Sequence, residues 1–223
     1  MRIVIVEDHQ IICDLLCKVC VEDFGHEVIA AVPTAKEAIV EINRTKPELV
    51  ILDLMLPDSD GFAVVESIRQ ERRAARILAI SSRCDAHTVL RVEEAGLDGF
   101  IDKKSSMLED FRQAIEAIAS GRQHFSGAFL QLQSSRRRNA KAFDKLLTKR
   151  QQAILTLIGD LLNDQEVAAR MKISVSTAEA HRYRIMHKLG LKTRTELVRY
   201  ARVNGLRALS DIEFPEERSQ LPR

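Results

Sequence analysis

The chain has 223 residues, 45% of them hydrophobic, enough for two domains of ordinary size. No run approaches the roughly 18 apolar residues of a membrane span, and the N-terminus leads straight into a charged strand rather than a signal peptide, so a cytoplasmic protein with no membrane partner is expected. The net charge of +2 hides a split: residues 1–123 carry 15 Lys and Arg against 22 Asp and Glu, and the rest carry 19 against 10. A basic half beside an acidic half points to a polyanionic partner for the basic half, although a solvated basic surface gives the same balance.

The run RIVIV predicts a first strand, closed by Glu7 and Asp8. A helix over 9–24 follows, carrying Cys13, Cys17 and Cys20 at i, i+4 and i+7. In this compartment disulfides are not expected, and small buried hydrophobes are a commoner use of cysteine than a metal or redox site. After a helix over 34–45 comes LVILDLMLPDSDGF. Residues 49–52 predict a strand buried on both faces, as in a parallel sheet. Asp53 stands at its C-terminal tip, where open α/β sheets place their ligands. Asp58 and Asp60 are expected to be turn or helix caps. A helix over 62–73 leads to ARILAISS, a fourth strand ending at Ser81 and Ser82. A helix over 86–95 leads to DGFIDKK, a fifth strand ending at Lys103, and a helix over 106–120 completes the series. Strands alternating with helices of this length predict βαβ units and a five-stranded parallel, doubly wound sheet.

Glu7, Asp8 and Asp53 then meet at one sheet edge if their strands are neighbours. Three acids repel one another unless a hard cation joins them, and oxygen ligands suit Mg²⁺. With a hydroxyl at Ser81 and an ammonium at Lys103, these are the parts for moving a phosphoryl group onto a carboxylate.

Residues 1–121 on these motifs resemble a two-component receiver domain of flavodoxin-like fold. The resemblance implies that Asp53 is the phosphoacceptor and that a sensor histidine kinase or a small phosphodonor supplies the phosphoryl group. Glu7, Asp8, Asp53 and the backbone carbonyl of Met55 would hold Mg²⁺. Ser81 corresponds to the switch hydroxyl, Phe100 to the switch aromatic and Lys103 to the phosphate-binding lysine. The added charge is expected to draw Ser81 inward, let Phe100 fill the vacated space and reshape the face made by the fourth helix, fifth strand and fifth helix. Arg83 is expected to overhang the pocket and slow water attack.

Residues 122–146 break the rhythm and read as a linker, with a short helix near 126–133 and a flexible hinge in SSRRRNAKAF. From 147 the pattern is purely helical. Capping-box pairs Thr148/Gln151, Asn163/Glu166, Ser176/Glu179 and Thr193/Glu196 open helices over 149–160, 164–171, 177–189 and 194–204. This predicts an all-α four-helix domain over 147–209, followed by a flexible tail at 210–223. Its core face is expected to use Ile154, Leu157, Val167, Ala168, Met171, Ile173, Ala178, Ile185, Leu189, Leu197 and Val198. The pair 164–171 and 177–189 fits a helix-turn-helix. Its second helix would present Glu179, Ala180, Tyr183, Arg184 and His187 to a major groove, flanked by Arg182 and Lys188.

LTKRQQAILTLI and ISVSTAEAHRYRIMHKLGLKTRTEL resemble the LuxR-type helix-turn-helix. Joined to a receiver, the chain is similar to NarL/FixJ-family response regulators. That resemblance implies a phosphorylation-controlled transcriptional regulator that binds double-stranded DNA, with Arg194 in the positive footprint and homodimerisation through the last helix on phosphorylation. Asp164, Gln165 and Glu179 depart from the family pattern, in which Asn and lysines are usual. Glu179 reads as a helix cap in preference to an acceptor for cytosine N4. A rival function is regulation through protein–protein contacts with weak or no specific DNA binding. An enzyme is disfavoured, since the second half has no nucleophile–base pair, metal motif or Gly-rich loop.

Overall fold

The computed structural model describes residues 1–70, 75–105 and 107–207. Its strands are β1 (Arg2–Val6), β2 (Glu27–Val32), β3 (Leu49–Asp53), β4 (Arg76–Ser81), β5 (Gly99–Asp102) and β6 (His124–Phe125). They form one parallel sheet in the order β2-β1-β3-β4-β5-β6. The helices between them are α1 (Gln10–Lys18), α2 (Ala35–Thr45), α3 (Phe62–Gln70), α4 (Ala86–Ala95) and α5 (Met107–Ala119). Alternation along β1 shows why the sheet is covered twice. Ile3 and Ile5 face a cluster with Leu16 of α1 and Phe111 and Ile115 of α5, while Val4 and Val6 face Ala38 of α2, Val64 of α3 and Val89 of α4. The chain runs from β1 to β2 on one side, then crosses back past β1 to β3 on the other, and continues outward through β4 and β5. Ligands of open α/β sheets gather outside strand ends at such a reversal.

Two expectations for this half are revised. The helix over 9–24 is α1 followed by a π-helical turn, Val19–Asp23. Cys13 and Cys20 are buried, Cys17 is half-buried, and burial pushes the Cys13 thiol up to about 11 and the Cys20 thiol to about 12. Thiols held protonated in this way suit packing rather than metal or redox chemistry. The sheet has a sixth strand: His124 and Phe125 pair with Gly99 and Phe100 of β5. Two residues are too short to show a period, so the sequence pattern puts them in the linker.

The expected hinge is also largely ordered helix. α6 (Gly127–Arg138) contains the three arginines in its last turn, where their charge complements the helix dipole. Arg136 bridges Glu93 of α4 and Asp144, and Arg137 pairs with Glu93 at 2.7 Å. A short helix, α7 (Phe143–Leu146), follows.

The second body contains α8 (Lys149–Gly159), α9 (Asp164–Met171), α10 (Val175–Leu189) and α11 (Arg194–Val203). Capping boxes open α8, α9 and α11 at Thr148, Asn163 and Thr193 as expected. α10 differs: it begins two residues earlier, capped by Ser174, whose hydroxyl accepts from the Thr177 amide. All eleven expected core residues lie in or against one apolar cluster. That cluster also takes Phe143 and, from the sheet-bearing half, Leu90 of α4. Residues 208 and 209 and the expected tail at 210–223 lie outside the described residues. No described helix is long and apolar enough to cross a membrane.

Candidate functional site

Glu7 follows β1, Asp53 ends β3 and Lys103 follows β5, so the parallel sheet brings their side chains to one edge. The Lys103 ammonium donates to both Glu7 carboxylate oxygens, at 2.9 and 2.7 Å, and to Asp53 Oδ2 at 2.6 Å. The Glu7 and Asp53 side chains are only 1% and 3% exposed. Burial pushes the Asp53 carboxyl up to about 6, against the pull of Lys103 and of the Met55 amide, which donates to Asp53 Oδ1 at 2.8 Å. The carboxylates raise Lys103 above its ordinary value despite burial. Asp8 stands partly exposed at the mouth.

His9 joins this cluster, unforeseen in the sequence. Its Nδ1 lies 2.9 Å from Asp8 and 3.3 Å from Glu7. One ligand atom from each of Glu7, Asp8, His9 and Asp53 falls within 4.8 Å of the others. Three carboxylates facing one ammonium retain negative charge, and their oxygens suit a hard divalent cation. The residues present therefore fit Mg²⁺.

The surrounding loops are built to hold this edge. Asp58 accepts from the Ala35 and Lys36 amides at the start of α2, and Asp60 from the Phe62 amide at the start of α3, so both are caps. Gly61 lies so close to β3 that a Cβ there would sit 2.5 Å from the Asp53 carbonyl oxygen and 2.7 Å from the Leu54 Cα. Ser81 is fully buried at the end of β4, its hydroxyl accepting from the Arg83 amide at 3.1 Å.

One residue beside this edge lies otherwise than expected. Arg83 does not overhang the pocket. Its guanidinium pairs with Asp85 at 2.6 Å and donates to the Gly205 carbonyl beyond α11. Phe100 is fully buried, its ring 5.1 Å from Phe129 of α6, which stacks in turn on Phe125 at 4.8 Å. The face expected to respond is thus covered at β5 by β6 and α6.

On α10, Glu179, Tyr183, Arg184, His187 and Lys188 are exposed and Ala180 is half-buried. Three of the candidate cations are engaged within the chain. Arg182 pairs with Asp164 at 2.9 Å and lies 4.5 Å over the Tyr183 ring, and Arg194 pairs with Asp164 at 3.3 Å. Lys188 donates to the Leu146 carbonyl and the Gln151 side chain, each at 3.0 Å. Asp164 therefore ties α9 to α10 and α11. His181 is held below its ordinary value by burial and by Arg184 and Arg150. Since Ser174 caps α10, Glu179 is not its N-terminal cap, and the reading favoured from sequence is withdrawn.

Residues 3–116 match the family model of the response regulator receiver domain, and residues 145–201 that of the bacterial regulatory proteins, luxR family. The chain belongs to the response regulators. VraR of Staphylococcus aureus, a response regulator protein, is 27% identical over 201 residues, 90% of this chain and 96% of that one. A LuxR-family two-component response regulator from Aurantimonas sp. SI85-9A1 is 33% identical across 62% of this chain and 98% of that one, with a TM-score of 0.58. RcsB from Salmonella enterica serovar Typhimurium, solved on promoter DNA with the phosphomimetic BeF3⁻, shares the fold at 19% identity and a TM-score of 0.65, covering 90% of this chain and 97% of that one. This response regulator thus joins a receiver to a LuxR-type DNA-binding domain, and the acidic edge lies in the receiver.

Proposed function

We propose that this response regulator accepts a phosphoryl group on Asp53 from a sensor histidine kinase or a small phosphodonor, and that the modification controls binding of the α10 face to double-stranded DNA. The observation that carries the reading is Lys103 held against the buried Glu7 and Asp53 carboxylates. Mg²⁺ bound by Glu7, Asp8, Asp53 and the Met55 carbonyl would neutralise the acids and polarise phosphoryl oxygens. Lys103 offers a point charge to one phosphoryl oxygen, and Ser81 a hydrogen bond to another. The buried, part-protonated Asp53 becomes a better nucleophile as the acids around it are screened. The new anion then competes for Lys103 and Ser81, and Phe100 can respond only if Phe129 and α6 yield with it. Two copies would occupy paired half-sites, with α11 a candidate pairing surface; Val203 at its end is 73% exposed. The chemistry assigned to the chain is acceptance of the phosphoryl group and its later loss to water, and its place is the cytoplasm.

A regulator acting through protein contacts is the second reading. Asp164 favours it, because it neutralises Arg182 and Arg194. DNA binding separates the two. The full chain is expected to shift bulk DNA in a gel at low salt, with affinity falling steeply as salt rises. Arg184→Ala should weaken that binding for all sequences and lower the log–log salt slope by about 0.9. No shift at low salt, with or without acetyl phosphate, leaves the protein-contact reading. Glu179→Lys then sorts the remaining roles of Glu179: tighter binding to many sequences means it only repels phosphate, and a changed preferred site means it reads a base.

A further inference from the structure

The loop between β4 and α4 touches both functional halves. Ser81, the last residue of β4 before it, is the switch hydroxyl on the reading above, on which this inference rests. Two residues on, the Arg83 backbone amide holds that hydroxyl at 3.1 Å. The same residue's guanidinium crosses to the DNA-binding domain, donating to the carbonyls of Gly205 and, at 3.4 Å, Arg207. Asp85 completes the loop. It pairs with Arg83 at 2.6 Å and caps α4 by accepting from the Thr88 amide at 2.8 Å. His87 adds two contacts, its amide donating to the Asn204 carbonyl at 2.9 Å and its ring nitrogen 3.2 Å from the Gly205 carbonyl.

The junction has no slack. Arg83 is 8% exposed and Gly205 is buried. Gly205 has φ +77°, and a Cβ there would collide with the Asp85 carboxylate. A loop this short, pinned at Ser81 and at the start of α4, moves as a piece. A displacement that brings Ser81 to a phosphoryl oxygen on Asp53 must carry Arg83 and Asp85 with it.

We propose that Arg83 is a positioning residue that couples the phosphorylation site to the docked DNA-binding domain. In the docked form it holds the Ser81 hydroxyl through its backbone and the end of α11 through its side chain. Movement of Ser81 toward the phosphoryl group withdraws the guanidinium from the Gly205 and Arg207 carbonyls and frees the DNA-binding domain. Coupling of this kind is reciprocal. An undocked DNA-binding domain makes the receiver bind a phosphoryl mimic more tightly, by the same factor as the mimic favours undocking.

The test uses the full chain and BeF3⁻ with Mg²⁺, in wild type, Arg83→Ala and Gly205→Ala. Small-angle scattering reads undocking, and calorimetric titration reads BeF3⁻ affinity. Both variants are expected to be more extended than wild type without BeF3⁻, and to bind it several-fold more tightly. Gly205→Ala breaks the junction from the other side, so it carries the test if Arg83→Ala disturbs the receiver itself. Arg83→Lys keeps the charge but not the two-carbonyl fork, and should fall between wild type and alanine. Variants as compact as wild type, or extended with unchanged BeF3⁻ affinity, overturn the coupling. Wild type that ignores BeF3⁻ altogether overturns the phosphorylation reading instead, and the scattering comparison still decides whether Arg83 holds the domains together.

Discussion

Asp53→Asn is expected to abolish acyl-phosphate formation with acetyl phosphate and Mg²⁺, because the amide offers no carboxylate oxygen to phosphorus. Mass spectrometry of the treated chain reads this, and phosphate retained by the mutant at wild-type stoichiometry refutes the assignment. The same substitution should raise stability at neutral pH. Burial lifts the Asp53 carboxyl from 3.8 to about 6 in the fold. A carboxyl with a raised folded value favours the fold below its unfolded value, and that advantage is lost as pH rises through about 6. At pH 7 the charged form therefore costs as much as ~3 kcal/mol, since each tenfold change in proton affinity is worth about 1.4 kcal/mol. Asparagine escapes that cost. Melting temperatures of mutant and wild type should diverge between pH 4 and pH 7 and converge in acid.

Lys103→Met should act in the opposite direction and more strongly. Glu7 and Asp53 are almost wholly buried, and the lysine is the cation that both carboxylates touch. Removing one partner of a buried ionic group while the charges remain typically costs ~3–5 kcal/mol. The loss should be largest above pH 6, where Asp53 ionises, and should shrink as pH falls and Asp53 takes up its proton. Mg²⁺ should restore part of it by binding the folded state alone. Thermal melts at pH 7.5 and pH 5, with and without Mg²⁺, check this. A mutant as stable as wild type at pH 7.5 contradicts the placement of Lys103 as the neutralising charge.

Most of the receiver was legible because its signals are local. An apolar run ending in Asp53 says both that a strand is buried and where it stops. Three of the four capping boxes in the second half were legible for the same reason: the cap and its partner lie three residues apart. The fourth misled. Ser176 and Glu179 have the right spacing, but Ser174 is also a good cap, and spacing alone cannot choose between two serines on one turn. Long-range partners were out of reach altogether. Whether Arg83 covers the pocket or leaves it depends on the Gly205 carbonyl, more than a hundred residues away. Whether Asp164 merely repels phosphate or binds Arg182 and Arg194 depends on how three helices cross. The two-residue strand β6 exists only because β5 presents an open edge for it to pair with, a fact of the assembled sheet rather than of the dipeptide His124–Phe125.

That small strand has a practical side. β6 closes the hydrogen-bonding edge of β5, and Phe129 roofs Phe100. A receiver cut after Gly121, at the boundary expected from sequence, would lose both covers at once. It would present an unpaired strand edge beside a bared aromatic ring, the pattern that templates intermolecular strand pairing. Such a fragment is expected to self-associate, while one ending after Arg138 remains monomeric. Any experiment that isolates the phosphate-accepting half must therefore carry the first linker helix along, or it will report on clumping instead of signalling.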